Sequence, residues 1–131
     1  MATWKDVRRL ALAMPETTEP SPGQWRVNEK LYIWERPLRK GDLVALGLDE
    51  NDPEPYGPIL GARVPDEGAK FALIADDSDV YFTTPHFNGY PAILVRLERI
   101  AVPDLEELVV EAWLTRAPKR IAAAYLAEHP G

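Results

Sequence analysis

Cysteine is absent from these 131 residues, which excludes disulfides, thiolate nucleophiles and zinc held by sulfur, and suits a reducing compartment. Histidine is scarce, with only His86 and His129. His129 falls in a tail expected to fray, so a histidine metal site would have to be built from His86 and carboxylates. No apolar run approaches the roughly 20 residues a membrane span needs, and the opening Met1-Ala2-Thr3-Trp4-Lys5-Asp6 is not the start of an apolar leader. The expectation is a cytoplasmic chain without a membrane partner. Missing too are a glycine-rich dinucleotide fingerprint, a P-loop, a paired-histidine zinc motif and a nucleophile elbow, which counts against several common enzyme classes, and no cofactor is expected.

What is present is the composition of a folded domain, 46% hydrophobic and 27% charged. At this length one domain spanning 1–131 is expected, burying roughly two-thirds of the surface that the unfolded chain exposes. Thirteen prolines predict several rigid loops. The net charge of −6 is unevenly spread. Residues 1–41 hold eight Lys/Arg against five Asp/Glu, residues 42–79 two against ten, and residues 80–131 five against six. A protein that gripped nucleic acid by charge would need a local basic face turned away from this acidic middle.

Thr3 and Asp6 have capping-box spacing, and Trp4, Val7, Leu10, Ala11 and Met14 recur at helical period until Pro15, predicting a first helix. Thr17 to Gly23 reads as a loop. Gln24 to Asn28 and Lys30 to Arg36 read as a hairpin turned at Asn28-Glu29, with Leu31 and Ile33 on one face and Tyr32 and Trp34 on the other. Pro37 to Pro58 reads as a long acidic loop with a short strand at Leu43 to Leu46. Ile59 to Val64 is a predicted strand, Pro65-Asp66-Glu67 opens a helix to about Ala75, and Val80 to Thr83 is a short strand. Ala92 to Arg99 is a strong strand with Ile93, Val95 and Leu97 on one face. Leu105, Leu108, Val109, Ala112 and Trp113 then form a helical stripe, and Pro118 breaks or kinks the helix before Ile121, Ala124 and Tyr125. An antiparallel sheet packed against an N-terminal helix, a middle helix and a C-terminal helical pair makes an α+β fold.

The segment Phe82-Thr83-Thr84-Pro85-His86-Phe87-Asn88-Gly89-Tyr90-Pro91 is the most informative. Its plain reading is a strand connection in which Phe87 and Tyr90 pack onto the sheet. Its functional reading is a ligand site, because Thr83, Thr84, His86, Asn88 and Tyr90 crowd five hydrogen-bonding side chains into eight residues. The cluster Asp76, Asp77 and Asp79 lacks the ligand spacing of a calcium loop and reads as a solvated helix end.

Residues 82–97, followed by Ala112-Trp113 and Arg116-Ala117-Pro118-Lys119, resemble the signature of the MmcQ/YjbR family. The likeness extends to the first helix, to Trp25-Arg26-Val27-Asn28 with Lys30, and to Pro58-Ile59-Leu60. It implies an α+β domain like a double-wing DNA-binding fold, with DNA as the partner. Phe87 and Asn88 stand where Tyr and Asp are frequent in the family, removing a hydroxyl and a charge.

Candidate nucleic-acid contacts are Arg26, Lys30, Arg96, Arg116, Lys119 and Arg120. If Pro118 starts a new helix, Lys119 and Arg120 occupy its positive end and invite an anion; if the helix runs on, they complement a carboxyl end. Trp25, Trp34 and Tyr32, with Arg26, Lys30 and Arg36 nearby, offer an aromatic-plus-basic surface of the kind single strands use, whereas Trp113 reads as core. The leading reading is therefore a non-enzymatic binding protein of MmcQ/YjbR type acting on nucleic acid. Its rival is a module that binds a small anionic molecule or a protein through the 82–91 loop. An enzyme using His86 as general base is the poorest fit, because no paired nucleophile is visible.

Overall fold

The computed structural model describes residues 1–52 and 55–130. Helix α1 (Trp4–Leu12) begins at a complete capping box, in which Thr3 Oγ1 accepts from the Asp6 amide and the Asp6 carboxylate accepts from the Thr3 amide at 2.9 Å. The expected hairpin forms as β2 (Gln24–Val27) and β3 (Lys30–Glu35). Asn28 and Glu29 turn it with φ of 49° and 70°, the left-handed pair whose twist matches a two-residue hairpin.

Three expectations are corrected. Thr17–Ser21 is not a loop but strand β1, paired antiparallel with β2 through Thr17 opposite Val27. It is an edge strand, where Pro20 is tolerated because one side of the backbone needs no partner. The Leu31/Ile33 and Tyr32/Trp34 alternation fails because β3 is bulged: Trp25 pairs with Ile33 but Arg26 with Leu31, leaving Tyr32 as the extra residue. Tyr32 and Ile33 therefore both enter the main core, while Leu31 and Trp34 look out on the opposite face. The third correction concerns Leu43 to Leu46, which belongs not to a strand but to helix α2 (Lys40–Leu46). Asp42 Oδ2 accepts from the Arg39 amide at 2.9 Å to start it, and Gly47 at φ 71° ends it. Pro53 and Glu54 of the expected acidic loop lie outside the described residues.

Strand β4 (Ile59–Arg63), helix α3 (Glu67–Asp76), strands β5 (Tyr81–Phe82) and β6 (Ala92–Arg96), and helices α4 (Val102–Arg116) and α5 (Lys119–Glu128) complete the fold. The predicted strand to Arg99 stops at Arg96, and Leu97–Arg99 turn as a short 3-10 segment. All pairings are antiparallel, in the order β1-β2-β3-β4-β6-β5.

One sheet face carries the main core. Val7, Leu10, Leu105, Leu108, Val109, Ala112 and Trp113 of α1 and α4 close on Tyr32, Ile33, Leu60, Ile93 and Val95. Trp113 is fully buried and its indole N–H donates to the Pro15 carbonyl at 2.9 Å. The other face holds a smaller cluster of Ile59, Phe87, Ala92 and Leu94, with Trp34, Leu38, Tyr56 and Phe82 against it. Strand β6 is thus buried on both faces, and the connection after β5 is tied to the sheet. No helix is long and apolar enough to cross a membrane among the described residues. His129, exposed just beyond α5, stacks on Tyr125 at 4.1 Å between ring centres.

Candidate functional site

Residues 83–91 are held from beneath by two buried cations that local sequence does not announce. Phe87 is buried, the Arg36 guanidinium lies over its ring at 5.2 Å, and Lys70 Nζ, on a side chain only 1% exposed, donates to its carbonyl at 2.8 Å. Arg36 Nη2 is in turn 3.0 Å from Asp42 Oδ2, and Arg36 Nη1 donates to the Pro37 carbonyl. Burial pushes the Asp42 carboxyl up, but the Arg39 amide and Arg36 outweigh it and hold the carboxyl below its usual range. Thr84 is buried, and its hydroxyl has no hydrogen-bond partner among the described residues. Thr83 is half-buried, while His86, Asn88 and Tyr90 reach the surface.

His86 packs its ring edge against Phe87 at 4.9 Å, and neither ring nitrogen is held by a carboxylate or carbonyl among the described residues. The orientation that a general base requires is not built.

Beside the loop runs an open groove of about 500 Å³, with Leu31, Trp34, His86, Phe87 and Tyr90 as its apolar and aromatic surfaces, and Gln24, Arg36, Arg39 and the carboxylate of Glu35 supplying polar ones. Trp34 lies flat over Gly61, its paired residue on β4, where an added Cβ would come within 2.5 Å of the indole. Trp25 and Tyr32, expected on an open aromatic surface, are instead core: Trp25 is 2% exposed with its indole N–H donating to Glu19 at 3.0 Å, and the Tyr32 hydroxyl bonds Ala11 and Thr17. Burial raises the Tyr32 phenol to about 12. The bulge explains the exchange, since it turns Tyr32 inward and leaves Trp34 to the groove.

The strand register gathers cations at one end of the sheet. Val27 pairs with Lys30, Ile33 with Ala62 and Arg63 with Ala92, so Arg26, Lys30 and Arg63 share that end. Arg26 donates to Gln24 Oε1 and to the Glu29 carbonyl, both at 3.1 Å. The Arg63 guanidinium donates to the Pro91 carbonyl and the Tyr90 hydroxyl, both at 3.2 Å, and lies 4.8 Å over the Tyr90 ring. Arg116, in the last turn of α4, stands in the same field. Burial lowers its pKa and the neighbouring Arg63 lowers it further, while Tyr90 acts the other way. Arg116 Nε is buried without a partner, and neither guanidinium forms a salt bridge among the described residues. Two uncompensated guanidiniums beside a phenol make a place where an anion relieves repulsion.

Pro118 does start a new helix. Lys119 and Arg120 are exposed in the first turn of α5, which holds no acidic residue. Arg96 is placed differently from these cations. It pairs with Ile59 at the opposite end of the sheet, contacts Asp79 Oδ1 at 3.5 Å and lies 4.3 Å over Tyr56, while Arg99 takes the other Asp79 oxygen at 2.8 Å. Arg96 thus has Asp79 as its counter-ion through Nη1, although its Nε, like that of Arg116, is buried without a hydrogen-bond partner among the described residues. The residues that sequence reasoning missed, Arg63, Arg39 and Lys70, gave only a weak signal. Arg63 ends an alternating strand immediately before Val64-Pro65, where a side chain on the second face meets the 82–91 loop.

No family model matches the chain. Over 127 residues it is 60% identical to uncharacterized protein Rv2570 of Mycobacterium tuberculosis (strain ATCC 25618 / H37Rv) and to uncharacterized protein Mb2600 of Mycobacterium bovis, covering 97% of this chain and 98% of each relative. In three dimensions it resembles the crystal structure of Deinococcus radiodurans protein DR2400, a DUF419 domain, with a TM-score of 0.62 and 20% identity over 98% of this chain and 88% of that one. At that identity the likeness is one of fold.

Proposed function

The chain belongs to one family with the mycobacterial proteins Rv2570 and Mb2600, and from that premise we propose that it is a non-enzymatic, cytoplasmic, single-domain binding protein of MmcQ/YjbR type whose partner is nucleic acid. The observation that carries the reading is the Arg63–Arg116 pair beside Tyr90, partly buried and without a carboxylate. Cations left uncompensated in a chain of net charge −6 are costly unless an anion arrives. Lys119 and Arg120 extend the cationic surface from the start of α5, and Arg26 and Lys30 extend it along the hairpin. The groove beside Tyr90 supplies aromatic surface next to those phosphate contacts, the combination that unpaired bases use. The ligand is therefore read as single-stranded, or locally unpaired, nucleic acid.

Fluorescence anisotropy of a labelled oligonucleotide across a salt series tests this. The six cations engaging a single strand should give a log–log salt slope of about −4, and Arg63→Ala/Arg116→Ala should flatten it by about 1.4 while weakening binding about tenfold or more. Binding that ignores salt would instead favour a small anionic ligand in the groove, the reading that the 500 Å³ volume supports second. Absence of saturable binding at low salt would exclude nucleic acid.

A further inference from the structure

A second groove lies on the helical face, away from the residues already assigned. Helix α3 lines it with Ala69, Ala72, Leu73 and Asp76, and α4 lines it with Asp104, Glu107, Leu108 and Glu111. Both sets follow the i, i+3, i+4, i+7 spacing that puts side chains on one helix face. The groove holds about 380 Å³, its floor is apolar, and four carboxylates surround it with no Lys or Arg in its lining. None of the four forms a salt bridge among the described residues. Asp104, Glu107 and Glu111 repel one another along α4, and Asp76 sits at the carboxyl end of α3, where a negative charge opposes the helix dipole.

Tyr81 of β5 is the independent sign of a ligand. It lines the same groove, is only 7% exposed, and its hydroxyl makes no hydrogen bond within the described residues. Burial, reinforced by Asp104, Asp76, Asp77 and Glu107, pushes its phenol up to about 12, so at neutral pH it is a hydroxyl donor and acceptor inside an anionic rim. The ring is buried while the hydroxyl tip opens onto the groove, so a polar group seated there can bond it in place of water.

We propose that the groove between α3 and α4 binds a small organic cation, a primary ammonium on an apolar body of about the size of a phenyl ring. The apolar body lies on Leu73, Leu108 and Val64, the ammonium donates to the rim carboxylates, and Tyr81 completes the contacts of the charged group. A metal ion suits the site less well, because an apolar floor cannot replace its water shell. The inference stands independently of the nucleic-acid reading.

The test uses phenethylammonium, its neutral isostere 2-phenylethanol and the anion 3-phenylpropionate, titrated into the isotopically labelled protein and followed by amide chemical shifts. Saturable shifts at Ala72, Leu73 and Leu108 are expected with the ammonium, at least about tenfold weaker with the alcohol and absent with the anion. Asp104→Asn/Glu107→Gln removes like-charge repulsion and should fold normally while weakening the ammonium about tenfold. Tyr81→Phe should weaken it by a smaller factor with the rim intact. Equal binding of alcohol and ammonium, binding unchanged in the carboxylate variant, or no saturable shift with the ammonium would overturn the proposal.

Discussion

Asp42 supports the 82–91 loop without belonging to it. Its carboxylate starts α2 through the Arg39 amide and neutralises the buried Arg36, while Arg36 covers the ring of Phe87. Removing one member of a buried ion pair leaves the other charge uncompensated, so Asp42→Asn should destabilise the protein by about 3 kcal/mol. Because the folded carboxyl titrates below its usual range, its stabilisation is fully present above about pH 4 and is lost as pH falls through the lowered value. Thermal melts between neutral and acid pH should therefore show a steeper acid loss for the wild type than for Asp42→Asn. These partners were not legible beforehand, because positions 36, 42, 70, 84 and 87 meet only through tertiary packing. What the residues did show was the crowding of polar groups at 83–90. The fold divides that set, placing Thr84 inside and His86, Asn88 and Tyr90 outside.

At the scale of elements, strong local signals were readable and those depending on a neighbour were not. The capping box of α1, the Asn28-Glu29 turn and the Trp113 stripe followed from spacing alone. Strand β1 was hidden by Pro20 and Pro22, since an edge strand takes its structure from the hairpin it joins. The bulge in β3 carries no sequence mark, yet it decides which aromatic is buried: Tyr32 fills the core, and Trp34 crosses Gly61 to line the groove. Only a residue without Cβ lets the indole lie that close. Gly61→Ala should push Trp34 off the sheet, destabilise by about 1–3 kcal/mol in denaturant unfolding and blue- or red-shift the tryptophan emission as its surroundings change. An unchanged midpoint and spectrum would show that Trp34 does not rest on Gly61.

Over the whole molecule, charge is sorted by the sheet register. Net acidity hides a basic end at which Arg26, Lys30 and Arg63 are brought together by strand pairing, with Arg116 beside Arg63 and with Lys119 and Arg120 next along the chain on α5. Sequence counting found an acidic middle and scattered cations. It could not separate Arg96, neutralised by Asp79 at the other end, from Arg116, which has no counter-ion.

The most direct test of this account is a chemical-shift map of the labelled protein titrated with a short thymidine oligonucleotide at low salt. The account expects saturable shifts at the amides of residues 26–30, 63, 89, 90, 92, 93, 116, 117, 119 and 120, with the region around Arg96 and Arg99 unmoved. Shifts centred on Arg96 and Arg99, or no saturable shifts, would contradict it.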